Sequence, residues 1–353
     1  MSSSLKERVV NEPVPLSPDQ QRAVLYTKKH LKIVAGAGAG KTETIARRLV
    51  YAMLSLGIKP ENIVAFTFTD RAAQSLKERV YYTMEKLVGS EKESPLLSQL
   101  AKAYIGTIHG YAKRILEDRF NYGDRLLLDD NQEMALLFRE GWDMLPQGCE
   151  RNAHSLKELK KSISVFYNEV MLQHQKEQEA KKIPFYQTFT RYDQFLEEHK
   201  LLTFDKVIYD AVRLLRKYPD ERKKLNVSFL LVDEYQDINR AQAELIYLLA
   251  QDAALTVVGD RDQTIYRWRG SDDEIFDEFE RVYPDSEVVR IRENRRALPN
   301  LVENANQFAK HLNPATPDPM MPVRRDGTGE LIFNRFGSQD EEARWIAESI
   351  VNL

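Results

Sequence analysis

The chain of 353 residues has little of several features that would settle its class at once. It has one cysteine, Cys149, which excludes an internal disulfide framework and a cysteine-based metal site. No apolar run approaches the roughly 18 residues of a membrane-spanning helix, and the first residues lack a signal-peptide core. Lys and Arg (51) nearly balance Asp and Glu (54), so no basic field indicates nucleic acid. We therefore expect a globular, cytoplasmic protein of two or three domains with no membrane partner, on which any nucleic-acid surface is local.

A glycine-rich stretch, 31–42, reads LKIVAGAGAGKT and organises the rest of the chain. An apolar run leads into three glycines and a Lys-Thr pair, and apolar residues then continue at helical spacing. This is the strand, loop and helix order of a phosphate-binding loop, in which Lys41 meets the β and γ oxygens and the Thr42 hydroxyl binds Mg²⁺. The strict pattern has glycine where this chain has Ala35, so the loop is a variant. The alternative is a glycine-rich turn that binds no ligand.

Two adjacent carboxylates, Asp233 and Glu234, directly follow an apolar strand-like run at 229–232. Ionised side chains at such a place need a cation or a hydrogen-bond network, because their burial is otherwise costly. In a chain with a phosphate loop, one carboxylate can hold Mg²⁺ through water and the other can accept a proton from an attacking water. Neither feature is decisive alone, but together they predict a nucleotide-hydrolysing site.

Other candidate residues lie near the starts and ends of predicted elements. Gln20 lies early in the helix before the first strand, and its amide could bond the edge of adenine or simply face solvent. Thr67 and Phe68 lie at the carboxyl end of a β-branched strand, where open α/β sheets place ligands, although Phe68 could also be a core residue. His109 belongs to a second strand-like stretch, 103–112, and could bond a phosphate or a carboxylate, or be an ordinary histidine.

A short segment, 263–270, reads QTIYRWRG and crowds two aromatic rings among arginines. This composition suits single-stranded nucleic acid, because bases stack on the rings while guanidinium groups meet phosphates. The alternative is a packed loop held by cation–π pairs. Farther along, Arg295 and Arg296 lie near a strand-to-helix junction, where an arginine at a domain boundary can neutralise charge on a transferring phosphoryl group.

Seven stretches in a fixed order resemble the superfamily-1 DNA helicases of the UvrD/Rep type: LSPDQQRAV, AGAGAGKT, AFTFTDRAA, IGTIHGYAKRIL, LVDEYQDINRAQ, VVGDRDQTIYRWRGSD and RENRRALPN. The resemblance runs from about residue 16 to the last residue. In that family the first glycine of the phosphate loop is commonly alanine, as Ala35 is here.

The resemblance implies that this chain uses ATP and Mg²⁺. Gln20 would contact adenine, Asp233 would serve Mg²⁺ together with Thr42, Glu234 would activate water, Gln263 would sense the γ-phosphate, and Arg296 would be the trans-acting arginine. The loop residues that would line the nucleotide are Ala35, Gly36, Ala37, Gly38, Ala39, Gly40, Lys41, Thr42 and Glu43. The residues that would lie along a single strand of DNA are Thr67, Phe68, His109, Tyr266, Trp268 and Arg269.

The chain also departs from the family pattern. Arg295 stands where the family usually has a tyrosine that stacks on adenine, so base preference is open. Glu43 replaces an arginine that often follows the Lys-Thr pair, and Asp70 replaces an asparagine and would repel a nearby phosphate. The later motifs that complete the ATP cleft and the DNA grip in family members are absent.

We therefore predict an α/β fold of the P-loop NTPase class, with a RecA-like parallel sheet assembled from 1–115 and 196–283. A helical subdomain is expected at 116–195, because that stretch is charged, helical and free of strand patterning. The start of a second RecA-like domain is expected at 284–353, with a strand at 329–336.

The expected function is ATP-dependent movement on single-stranded DNA in the 3′ to 5′ direction, with unwinding at junctions of single and double strands. The rival is a nucleotide- and DNA-binding module with little turnover until a partner protein supplies the missing C-terminal motifs. A small-molecule kinase fits poorly, because it gives the QTIYRWRG segment no role.

Overall fold

The computed structural model describes residues 5–89, 95–145, 148–172, 180–264, 273–312 and 319–352. It divides into two compact units, Met1–Ile291 and Arg292–Leu353. Within the described ranges, every helix is too short or too polar to cross a lipid bilayer.

The first unit is built on a parallel sheet. The described strands of the first unit are β1 (His30–Ala35), β2 (Ile63–Thr67), β3 (Tyr104–Thr107), β4 (Leu126–Leu127), β5 (Leu201–Leu202), β6 (Phe229–Val232), β7 (Ala254–Gly259) and β8 (Glu287–Ile291). Six of them lie in the order β3-β2-β6-β7-β1-β8, and every neighbouring pair is parallel. Strands β2 and β6 are apolar and buried at nearly every residue, as expected for parallel strands covered on both faces. The predicted α/β class and parallel sheet are confirmed.

Helices cover both faces of this sheet. Those described in the first unit are α1 (Leu5–Asn11), α2 (Pro18–Leu25), α3 (Lys41–Leu54), α4 (Asp70–Val88), α5 (Pro95–Gln99), α6 (Ile108–Phe120), α7 (Asp130–Glu140), α8 (Ala153–Val165), α9 (Phe185–Glu198), α10 (Phe204–Lys217), α11 (Pro219–Lys223), α12 (Arg240–Ala250) and α13 (Asp273–Val282). One buried apolar cluster joins α1 to α4 with β1, and a second joins α6, α10, α12 and α13 with the helices of the insertion. The carboxyl ends of all six strands therefore share one edge, between two helical layers.

The helical insertion contains α7, α8 and α9, with a π-helical turn at Phe166–Val170. The stretch expected to be free of strands contains β4, which pairs in parallel with β5 just beyond the predicted end of the insertion. This two-residue pair brings the two ends of the insertion together. No pattern predicts this strand pair, because two leucines in each segment carry no periodicity.

The boundary between the units follows Ile291, eight residues later than the predicted 283/284 boundary. The reason is that β8 pairs with β1 along its whole length and so completes the first sheet. The second unit has β9 (Glu293–Asn294) paired with β10 (Met321–Pro322), and helices α14 (Pro299–Leu312) and α15 (Gln339–Val351).

The prediction of a strand at 329–336 is wrong, since these residues form no regular secondary structure. An apolar segment becomes a stable strand only when a neighbouring strand pairs with it and another layer covers it. Here Phe333 remains 89% exposed, so the described part of the second unit supplies no such cover.

Candidate nucleotide site

The glycine loop connects β1 to α3 at the shared edge of the sheet. Gly38 and Gly40 have φ angles of 74° and 77°, in the left-handed region that glycine adopts readily. Gly40 is the N-cap of α3 and makes no side-chain cap. A Cβ atom on Gly40 would lie 2.7 Å from the Gln20 amide nitrogen, so a larger residue would displace the Gln20 side chain as well as strain the backbone. The loop thus brings the positive end of a 14-residue helix to the sheet edge, the arrangement that favours phosphate groups.

Gln20 is buried beside this loop. Its Nε2 donates to the carbonyl oxygen of Ala39 at 3.1 Å, and its Oε1 accepts the N–H of Ser17 at 2.9 Å. The second bond is half of a capping box that begins α2. The carboxamide therefore fixes the loop to α2, in addition to any contact with a nucleotide.

Lys41 and Glu234 meet across the edge of the sheet, although their strands are separated by β7. Lys41 Nζ lies 3.0 Å from Glu234 Oε1 and 2.8 Å from Oε2. Glu234 adopts a left-handed backbone conformation with φ of 50°, which is uncommon outside glycine and is maintained only where the surroundings enforce it. The structure thus brings together the two residues that the sequence predicted to act on phosphate and water.

Asp233 lies at the end of β6, where its Oδ1 accepts the Glu234 N–H at 3.0 Å. Burial raises the pKa of Asp233 to about 6, and the neighbouring Glu234 charge adds to the rise while Lys41 opposes it. A carboxylate in this state is one that a cation would stabilise. The Thr42 hydroxyl and this carboxylate are oxygen donors of the kind that Mg²⁺ prefers, so the chemistry of the residues present fits this ion.

Two residues of the same turn, Gln236 and Asp237, were missed by the sequence analysis. Burial and the charge of Glu234 raise the pKa of Asp237 to about 6. Within the described part of the chain, Asp237 Oδ1 is buried and has no hydrogen-bond partner. Gln236 donates to Glu234 at 2.9 Å. The signal was present in the sequence, since an amide and a third acid follow the Asp-Glu pair within three residues.

Gln263 ends a short 3-10 turn, Arg261–Gln263, that follows β7. Its Nε2 donates to Asp260 Oδ2 at 2.6 Å. Because β7 lies between β1 and β6, this turn is placed between the glycine loop and the carboxylate pair. The predicted residues Tyr266, Trp268 and Arg269 lie outside the described residues.

Comparison with known proteins agrees with this arrangement. The model of the UvrD/REP helicase N-terminal domain family matches residues 16–284. The chain belongs to this family. It is 29% identical over 345 residues to the ATP-dependent DNA helicase PcrA of Staphylococcus epidermidis, and 31% identical over 345 residues to that of Leuconostoc citreum. It is 31% identical over 357 residues to the ATP-dependent DNA helicase UvrD1 of Mycobacterium tuberculosis.

These alignments cover 95% of this chain but only 44 to 45% of each relative. The chain thus spans under half the length of the curated relatives it matches. The predicted resemblance to the UvrD/Rep type is confirmed.

In this UvrD/REP-type chain, Glu43 lies in the first turn of α3 but is held by arginines. Its carboxylate pairs with Arg47 Nε at 2.6 Å and with Arg79 at 3.2 Å. Two neighbouring guanidinium groups therefore neutralise the negative charge that Glu43 would otherwise bring to the phosphate loop.

The two candidate arginines belong to the second unit. Arg295 pairs with Glu293 at 2.8 Å. The backbone N–H of Arg296 donates to the Asn294 side chain at 3.0 Å, and its carbonyl oxygen accepts a bond from Arg324 at 3.2 Å. These local bonds fix the backbone of Arg296 within its own unit.

The described DNA-contact candidates of this family member lie at the carboxyl ends of β2 and β3. Thr67 is buried, and its hydroxyl donates to the carbonyl oxygen of Thr69 at 3.0 Å. Phe68 is 39% exposed and therefore is not a core residue. The Phe68 ring is therefore accessible to a ligand, whereas the Thr67 side chain is not.

His109 lies in the first turn of α6, so the prediction of a strand over 103–112 is wrong beyond Thr107. The reason is local, since the Thr107 hydroxyl accepts the Gly110 N–H at 3.2 Å and starts a helix there. The His109 ring packs edge-on against Phe204 at 5.4 Å between centroids. Burial lowers the pKa of His109, although the charge of Asp205 opposes this.

Proposed function

We propose that this chain binds and hydrolyses ATP with Mg²⁺ as the N-terminal half of a DNA helicase, and that single-stranded DNA stimulates the reaction. The observation that carries the proposal is the contact of Lys41 with Glu234, with Asp233 beside them, at the edge that also holds the glycine loop. A phosphate-binding lysine, a cation-binding carboxylate and a proton acceptor are the three groups that hydrolysis of a nucleoside triphosphate needs.

The chain's own residues have distinct roles in this proposal. The glycine loop and Lys41 bind phosphate oxygens, and Lys41 exchanges its contact with Glu234 for one with phosphate. This exchange frees the Glu234 carboxylate to orient a water and accept its proton. Thr42 and Asp233 would hold Mg²⁺, which when bound neutralises charge on the phosphates. Gln20 would contact adenine with the donor and acceptor capacity that its present bonds leave unused.

The other predicted residues would connect this site to DNA. We propose that Phe68, Thr67 and His109, with Tyr266, Trp268 and Arg269, contact a single strand by stacking and phosphate contacts. Gln263 would sense the γ-phosphate. Such a motor would work in the compartment that holds the DNA, which we take to be the cytoplasm.

The second unit, in this proposal, begins a second RecA-like domain that brings Arg296 to the phosphates and Arg295 to the base. Full 3′ to 5′ translocation, and unwinding at junctions of single and double strands, would need motor motifs from further sequence or from a partner protein. This follows from the share of the relatives' length that the chain spans.

Steady-state ATP hydrolysis by the purified chain, with and without single-stranded DNA, tests the proposal. We expect turnover that rises with DNA and falls by about 100-fold or more in Glu234→Gln, because removing a general base costs about two to four orders of magnitude. Nucleotide binding by Glu234→Gln, measured with a fluorescent ATP analogue, should persist. Nucleotide and DNA binding without any turnover would instead support the rival binding module. Turnover that is unaffected by Glu234→Gln would refute the assignment of Glu234.

A further inference from the structure

Gln236 connects two turns at the edge of the sheet, although the proposed reaction gives it no role. It lies in the turn after β6 and is only 2% exposed. Its Nε2 donates to Glu234 Oε2 at 2.9 Å and, more weakly, to Asp237 Oδ2 at 3.3 Å. Its Oε1 accepts the backbone N–H of Asp260, which follows β7, at 3.1 Å. One carboxamide thus contacts groups in the turns that follow two neighbouring strands.

The space around this carboxamide is closely defined. A Cβ atom on Gly259 would lie 2.4 Å from Gln236 Oε1 and 2.8 Å from the ring of Phe276. Glycine at the end of β7 therefore leaves the volume that the carboxamide fills. Because a side chain at residue 259 cannot be accommodated without moving Gln236, the close approach of the two turns is a built feature of the fold.

The hydrogen bonds continue beyond Asp260. The Asp260 carboxylate accepts the Gln263 Nε2 bond at 2.6 Å and also the N–H of Asp262 at 3.1 Å. A continuous path of hydrogen bonds therefore runs from the Glu234 carboxylate through Gln236 and Asp260 to Gln263. It connects the proposed proton acceptor with the turn whose last residue, Gln263, is the first residue of the QTIYRWRG segment.

The chemistry of the site requires a carboxamide at residue 236. An oxygen must face the Asp260 N–H, and N–H donors must face the carboxylates of Glu234 and Asp237. A glutamate there would place a third carboxylate against the other two, and a methionine would leave the partly buried Asp260 N–H without an acceptor. An asparagine is one methylene too short to reach both turns.

We propose that Gln236 is a positioning residue that couples the orientation of the Glu234 carboxylate to the turn that carries Gln263. A movement of that turn shifts the position of the Asp260 N–H. The Gln236 carboxamide, which accepts the hydrogen bond from this N–H, shifts with it. The direction in which the Glu234 carboxylate oxygens point then changes as well. The consequence for turnover rests on the proposed function, whereas the coupling itself is a property of the chain without nucleotide.

Turnover of Gln236→Met tests the consequence. We expect kcat to fall by about 10- to 100-fold, the usual cost of losing a partner that orients a functional group. The dissociation constant for a fluorescent ATP analogue should stay within about threefold of wild type, because Lys41, Thr42 and the glycine loop are untouched. Gln194→Met is the matched control, since Gln194 is an exposed glutamine that donates to Glu198 at 2.7 Å on α9. A kcat equal to that of the control, or a loss of nucleotide affinity as large as the loss of kcat, would overturn the proposal.

Amide hydrogen exchange at Asp260, measured without nucleotide, tests the coupling independently of activity. Exchange should be faster in Gln236→Met, because the N–H loses its acceptor, and also in Glu234→Ala, which does not touch Asp260 directly. The double variant should exchange no faster than Gln236→Met alone, since both act through the same carboxamide.

Equal exchange in wild type and Gln236→Met would overturn the coupling. Faster exchange in Gln236→Met and Glu234→Ala, combined with no ATP hydrolysis by the wild-type chain, would instead sustain the coupling and refute the proposed function. The two measurements therefore distinguish failure of the inference from failure of the function on which its consequence rests.

Discussion

Two lysines of the first unit, Lys41 in the candidate nucleotide site and Lys206 on α10, both pair with carboxylates but in opposite ways. Lys206 is 1% exposed, and its Nζ lies 2.6 Å from Asp193, 2.8 Å from Glu197 and 3.3 Å from Asp210. Lys41 is 14% exposed and pairs with Glu234 alone among the described carboxylates. The first cluster satisfies its lysine completely, whereas the second leaves capacity for a ligand.

The carboxylates of the two clusters show the same contrast. Burial alone would raise the pKa of Glu197, but hydrogen bonds from Arg125 and Lys206 outweigh it and hold it at about 2. In the candidate nucleotide site, burial and like charge raise the pKa values of Asp233 and Asp237 to about 6, since one lysine serves several acids. A cluster with enough cations stabilises the fold, and a cluster short of cations is ready to bind one.

We call Lys206 and its three carboxylates, Asp193, Glu197 and Asp210, the closed cluster. Lys206→Met should break this cluster and give the largest effect on stability. Removing its central cation leaves Asp193 without a cation among the described residues, whereas Glu197 and Asp210 keep Arg125 and Arg213. Loss of one partner of a buried ion pair costs about 3–5 kcal/mol. The free energy of unfolding from urea titration followed by circular dichroism measures this. Lys157→Met, at an exposed lysine on α8, is the control. A loss below about 1 kcal/mol would mean that Lys206 contributes no more than a surface ion pair.

Lys41→Met should affect binding and leave stability nearly unchanged, the reverse of Lys206→Met. Loss of a charged hydrogen bond to phosphate costs about 1.5–3 kcal/mol, so affinity for ATP should fall by about 10- to 100-fold. The free energy of unfolding should change by less than about 1 kcal/mol, because Lys41 and Glu234 form a single, partly exposed pair. Fluorescence titration and urea unfolding measure the two effects. A change in stability as large as that of Lys206→Met would remove the distinction between the two clusters.

Acid should weaken the closed cluster through Glu197, with the smallest of the three effects. The pKa of this carboxyl is about 2 in the folded chain and ordinarily about 4.5. Its ionised form therefore stabilises the fold fully above pH 4.5, and this contribution is lost as pH falls from 4.5 toward 2. The side chain is 36% exposed, so solvent weakens the effect.

Unfolding of wild type and Glu197→Gln across this pH range provides the measurement for that prediction. The stability difference between the two chains should shrink as pH falls through the window. A difference that stays constant would show that the charge of Glu197 does not contribute.

Local patterns in the sequence determined the glycine loop, the Asp233-Glu234 pair and their helices and strands, because each depends on spacing within a few residues. They also assigned Lys41 and Glu234 to one predicted nucleotide-hydrolysing site, and the structure brings the two side chains into contact because parallel strands place their carboxyl ends at one edge. The expectation of a strand at 329–336 failed because pairing and cover come from distant residues.

Only the tertiary structure decided the rest. It placed β8 in the first sheet, joined Gln236 to Asp260 across 24 residues and brought Asp193 and Glu197 to Lys206. These contacts depend on which strands and helices become neighbours, and no local period records that choice. The sequence alone therefore determined the chemistry available at the site, and the packing of distant segments decided which groups are paired and which remain open to a ligand.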